Sequence, residues 1–185
     1  MNTIMDITNF IFVGKSIDEL SHYDLLIINA DWAEERLAKD LLLMFDRNII
    51  DKDTLFIICE SHQSNGRSSA NILINFLKKE DINNKIIIDD KYISNPEILK
   101  NIDKLVNIDE YTRILRIAKD FVARRWFMNA KNHNFPIDKC DFYGVVDNRN
   151  ISKNDWYKST IGVNQVMREF INIGQLTIDN ELSIK

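Results

Sequence analysis

Residues 24–45 read DLLIINADWAEERLAKDLLLMF, and this stretch decides the fold class. The run Leu25-Leu26-Ile27-Ile28 is short, aliphatic and free of polar alternation, which is the pattern of a strand covered on both faces. From Trp32 to Phe45 the apolar residues instead recur three and four positions apart, as on one face of a helix. The same switch repeats along the chain. Thr54–Cys59 (TLFIIC), Lys85–Asp89 (KIIID), Arg113–Ala118 (RILRIA) and Cys140–Val146 (CDFYGVV) read as strands. Ser68–Lys79, Pro96–Val106 and Val122–Lys131 read as amphipathic helices, with a further helix over Ser159–Ile173 and another over Ile4–Phe12. Strands that alternate with helices are joined by crossovers and therefore run parallel. The expectation is an α/β fold: a doubly wound, Rossmann-like parallel sheet of about five strands between two layers of helices, forming a three-layer sandwich. One domain is expected over residues 1–185, with its core at about 23–176. Asp147–Asp155 (DNRNISKND) is the one long polar stretch and is expected to be a surface loop near the sheet's edge.

Composition narrows the function classes. At 185 residues, with 45% hydrophobic and 28% charged residues, 5 Gly and 2 Pro, the chain is globular in character and needs no disulfide or metal staple. Lys plus Arg at 24 against Asp plus Glu at 28 leaves a net charge of −4, so no broad basic surface for nucleic acid or anionic lipid is expected. Cys59 and Cys140 sit in strand-like runs and read as buried apolar residues. His22, His62 and His133 lie far apart and no C-x-x-C pair occurs, so no metal site is expected. The N-terminus lacks a basic segment ahead of an apolar one, and no run is long enough to cross a bilayer. A cytoplasmic protein without membrane insertion is expected.

In an open parallel sheet, ligands bind beyond the carboxyl ends of the strands, where helix N-termini offer free N–H groups. Four loops therefore matter. After the first strand come Asn29 and Asp31, of which Asp31 suits a helix N-cap and either suits a ligand contact. After the second come Ser61, His62, Ser64, Asn65 and Gly66, small and polar like a phosphate or carboxylate cradle, although neither the G-x-G-x-x-G nor the P-loop spacing is present. Capping by Ser68 or Ser69 and a Gly66 turn explain the same residues structurally. After the third come Asp90, Ser94, Asn95 and Glu97 around Pro96, a set of helix-start preferences. After the fourth, Lys119 precedes Arg124 and Arg125, which occupy the first helical turn against the macrodipole. A bound anion would offset that cost, as would an acidic neighbour such as Asp90 or Glu97. No constellation identifies a catalytic mechanism. His62 beside Ser61 and Ser64 has no assignable orienting carboxylate, and Asp31, Asp90 and Lys119 do not make a receiver site because the third loop runs into a Ser-Asn-Pro helix start.

Two stretches carry a family resemblance. Arg113–Lys131 (RILRIAKDFVARRWFMNAK) and Asp24–Asn29 followed by Glu35-Arg36-Leu37-Ala38 resemble the YdcF/SanA/ElyC family, Rossmann-like bacterial proteins largely without assigned reactions. Arg124 and Arg125 fall on the family's arginine pair, and Ser69-Ala70 falls where it has Glu-Ala. The family's glycines after the first two strands are replaced here by Asn29-Ala30-Asp31 and Glu60-Ser61-His62, and its acidic, Ser, Asn-Thr and Glu-Asn elements by Asp90, Ser94, Asn95-Pro96 and Glu97. The resemblance implies a cytosolic member with a pocket for a small anionic or nucleotide-like ligand, S-adenosylmethionine being a candidate, and with Arg124 and Arg125 as the anion clamp. The lost glycines motivate an alternative, a non-catalytic member acting through protein contacts, for which Trp126, Phe127 and Trp156 gathered on one surface would be the sign.

Overall fold

Five parallel strands form one sheet in the order β3-β2-β1-β4-β5. They are β1 (Leu25–Asn29), β2 (Leu55–Ser61), β3 (Ile86–Tyr92), β4 (Ile114–Lys119) and β5 (Cys140–Val145). The helices are α1 (Thr3–Ile11), α2 (Glu34–Asp46), α3 (Ser69–Lys79), α4 (Asn95–Leu105), α5 (Ala123–Asn132) and α6 (Thr160–Ser183). The structure is a computed structural model that describes residues 3–29, 34–61, 68–92 and 94–183. The doubly wound three-layer α/β architecture is the expected one, and all five strands and six helices fall on the stretches whose periodicity marks them.

Strand alternation sorts the core. Leu26 and Ile28, with Phe56, Ile58, Leu115 and Ile117, face Leu37, Leu41 and Met44 of α2 and Leu73 and Leu77 of α3. Leu25, Ile27, Ile57, Ile114 and Phe142 face Ile98 and Ile102 of α4 and Trp126 and Ala130 of α5. Each fully buried side chain of this size contributes about 1.5–3 kcal/mol, so covering both faces of the central strands is what holds the sheet together. A third cluster joins Ile11 and Phe12, Phe121, Ile151, Trp156 and α6 residues Val166 and Ile173.

Three helices end in the same way. Asn48, Asp81 and Asn134 adopt positive φ (55°, 58° and 55°) just after α2, α3 and α5. The following Ile49, Ile82 and Phe135 each donate a backbone N–H, at 2.9 Å, to Met44, Leu77 and Ala130 respectively. These are Schellman stops with Asn or Asp where glycine is usual, which is how a chain with 5 glycines terminates its helices.

Three boundaries differ from expectation. β2 and β3 continue to Ser61 and Tyr92, with a register shift between Cys59 and Ser61. α6 runs to Ser183 rather than ending near Ile173, because Gly174 lowers helix propensity without stopping the helix. The stretch after β5 is not wholly a surface loop: Asp147 and Ile151 are buried, and Arg149 is ion-paired to Asp147. At the β5 edge, the segment after α1 closes the sheet, with Lys15 bridging to Tyr143 and its N–H donating to Phe142 at 2.8 Å.

Candidate functional site at the carboxyl edge of the sheet

The strand order reverses between β1 and β4: from β1 the chain builds outward through β2 and β3, then returns to the other side for β4 and β5. At such a reversal the loops leaving the two central strands diverge and open a crevice. Asn29 ends β1 and Lys119 ends β4, so both stand at this point. Residues Asp31, His62, Ser64, Asn65 and Gly66 lie outside the described residues, as do the side chains of Ser61 and Asn95.

The described side chains at the ends of β1–β3 are acidic and hydroxylated. Glu34, nearly buried at the start of α2, accepts a hydrogen bond from Ser69 Oγ at 2.6 Å. Glu60, near the end of β2, accepts from Ser68 Oγ at 2.7 Å and from the Ala70 N–H at 3.3 Å. Ser68 also caps α3, accepting from the Asn71 N–H at 3.0 Å. The positive end of α3 is therefore already met by the Glu60 carboxylate, which disfavours a phosphate there. At the end of β3, Asp89 is buried within 3.4 Å of Asn101 Nδ2, while Asp90 is exposed. Ser94 is the N-cap residue of α4 and donates through Oγ to Glu97 at 3.1 Å, so the helix-start reading accounts for both.

Two groups that sequence reasoning passed over lie beside the reversal. Arg116, fully buried in β4, donates from Nη1 to the carbonyl of Ile27 in β1 at 3.0 Å and to that of Ile117 at 3.4 Å. A lone arginine inside an otherwise aliphatic strand was the available signal, since arginine is rarely fully buried without a purpose. Asp120, in the turn Asp120–Val122 after β4, is lodged over Gly144 of β5; a Cβ on Gly144 would lie 2.2 Å from Asp120 Oδ1. Burial pushes the Asp120 carboxyl up to about 6, against the opposing pull of the Lys153 backbone N–H and charge.

Arg124 and Arg125 are placed elsewhere. Arg125 is bonded by its Nε and Nη2 to the buried Glu169 of α6, at 2.6 and 3.2 Å. Arg124 donates from Nε to the Phe10 carbonyl at 2.9 Å and lies 5.2 Å from the Phe10 ring centroid. The expected anion clamp is thus engaged within the chain, because α1 and α6 cover the polar side of α5. The acid that offsets the arginines' position is Glu169, not Asp90 or Glu97. Trp126 and Trp156 are buried in separate clusters, and partly buried Phe127 packs edge-on to Trp126, so the aromatic surface that would signal protein contacts is not formed by these residues.

Concave surface lies at the start of α2, beside the stretch after β5. One groove of about 470 Å³ is lined by Glu35, Arg36, Lys39, Asp147 and Asn148, among others. A second of about 440 Å³ shares Glu35 and Asn148 and reaches Glu34, Asn75 and Lys79. Both sizes suit a small molecule. The amino edge of the sheet is instead closed by structural bonds. Asp141 accepts from Tyr23 Oη and Lys15 Nζ, each at 2.6 Å, and from Arg113 at 2.9 Å. Asp24 accepts from the Thr112 and Arg113 N–H groups at 2.8 and 3.0 Å. Among the described residues no cluster of His, Cys, Asp and Glu is arranged to hold a metal ion, and no helix is long and apolar enough to cross a membrane. No family model, curated protein or solved structure matches this chain.

Proposed function

We propose that this protein binds a small nucleoside-like ligand at the carboxyl edge of the sheet, in the crevice between β1 and β4 and the grooves at the start of α2. The carrying observation is the reversal of strand order at a rim whose β1–β3 side holds Glu34, Glu60, Asp89 and Asp90. Carboxylates accept from hydroxyls and attract positive charge, so the preferred guest is hydroxyl-rich and cationic rather than a polyphosphate. This modifies the anionic part of the expectation and keeps its nucleotide-like part. S-adenosylmethionine, with ribose hydroxyls and a sulfonium, is the instance that the YdcF-like resemblance implies.

The test is thermal unfolding with S-adenosylmethionine, S-adenosylhomocysteine, ATP or inorganic phosphate. A ligand at about 100 times its Kd adds about 2.7 kcal/mol, a rise of roughly 5–10 °C for a chain of this size. The expected order is S-adenosylmethionine above S-adenosylhomocysteine, with ATP and phosphate giving no shift. Asp89→Asn should lower the response. A larger shift with ATP or phosphate, or none with any nucleoside, overturns the reading.

A further inference from the structure

Past Ile173, the described part of α6 has no fully buried side chain. The inner face of the helix is set by Val166, Glu169 and Ile173. The helix nevertheless carries a second apolar stripe. Met167, Ile171, Gly174 and Ile178 follow one another at intervals of four, three and four, the spacing of a helix–helix seam. Met167 is 37% exposed, Ile171 67% and Ile178 52%, with Phe170 alongside at 42%, edge-on to Phe10. A stretch of helix with such a stripe in water gains little from its own hydrogen bonds, and tertiary or quaternary packing has to stabilise it.

We propose that this stripe pairs with its copy in a second molecule, as an antiparallel two-helix contact about a two-fold axis between Asn172 and Ile173. In that register Met167 faces Ile178 of the second copy, and Ile171 faces Gly174. The fit is complementary in shape: a Cβ built on Gly174 has nothing within 4 Å, so its bare backbone is a notch for the most exposed isoleucine of the stripe. It is complementary in charge, because Arg168 and Asp179 lie on one flank and the two-fold brings each near the other's counterpart. A parallel pair would instead set Gly174 against Gly174 and leave a void where side chains should meet. The two-fold repeats each contact, as a closed dimer requires. Taking about 150–250 Å² for a large exposed side chain, the four apolar residues offer roughly 400 Å² per chain, against about 800 Å² per partner in a standard interface. At about half the standard area, pairing is expected to be weak and concentration-dependent.

Sedimentation velocity of the full chain from about 1 to 100 µM tests this, a span that reaches the range of weak contacts. The expected result is a shift from monomer to twice the monomer mass. Ile171→Glu should sediment as a monomer throughout while melting within a degree or two of the parent, since Ile171 makes no core contact. Mixing Ile171→Cys with Gly174→Cys chains under mild oxidation should give covalent dimer faster than either variant alone; Cys59 and Cys140 are buried and do not compete. A wild type that stays monomeric at the highest concentration overturns the proposal, whether or not it adsorbs to lipid vesicles. So does a dimer that survives Ile171→Glu, or crosslinking by Gly174→Cys alone as fast as by the mixture.

Discussion

Asp120 and Gly144 show how one buried carboxyl constrains its surroundings. The Asp120 carboxyl fills the space that a side chain at 144 would take, so Gly144→Ala should destabilise by roughly 2–3 kcal/mol in urea titration, the cost of overpacking. The titration of Asp120 has a definite sign. Its folded pKa, about 6, lies above the ordinary 3.8, so the folded state prefers the protonated acid. Its contribution is most favourable below about pH 4 and is lost as pH rises through about 6, by up to about 3 kcal/mol. Stability measured from pH 4 to 8 should therefore fall less for Asp120→Asn than for the wild type, the gap opening between pH 4 and 6. An equal pH slope in both proteins would refute the assignment. Asp141 works in the opposite sense: burial would raise its pKa, but bonds from Lys15, Tyr23 and Arg113 hold it low. Comparing the two proteins cancels that background. Arg125→Ala should cost about 2–4 kcal/mol by leaving buried Glu169 without its bidentate partner, and the double change Arg125→Met with Glu169→Leu should recover part of it.

At the scale of the element, local signals were legible. Ser68, Ser94 and Pro96 stand at helix starts where their chemistry places them, and the strands coincide with the aliphatic runs. The helix stops at Asn48, Asp81 and Asn134 were not read from the sequence, because glycine is the usual cue and none is present there. Asn48→Ala should cost about 1 kcal/mol, because alanine pays the full steric penalty of positive φ, while Asn48→Gly should be close to neutral; denaturation midpoints distinguish them. Ser68→Ala removes both the α3 cap and a donor to Glu60, and is expected to lower stability by about 1–2 kcal/mol. The length of α6 was not legible, since a single glycine inside an amphipathic pattern neither requires nor forbids a stop.

For the whole molecule, strand order decides what the rim can do. β1 and β4, covered on both faces, should exchange their amides only through global unfolding, and hydrogen-exchange mass spectrometry should find them slowest. The α6 segment 174–183 should exchange rapidly at low protein concentration and slow on pairing. Of the candidate site, the sequence located the loops, because a parallel sheet sends every β–α turn to one edge. It gave no sign that Arg124 and Arg125 bond to Phe10 and Glu169, because nothing local says that α1 and α6 pack against that side of α5. It passed over Arg116 and Asp120, whose significance arises from burial and from what lies across the sheet.

Period and composition, taken alone, determined the α/β class, the parallel sense of the strands and most element boundaries, since these depend on neighbours within a few positions. Which carboxylates meet which hydroxyls, which arginines are engaged and where the strand order turns were decided only in three dimensions. Those are contacts between residues tens of positions apart, and local periodicity carries no record of them.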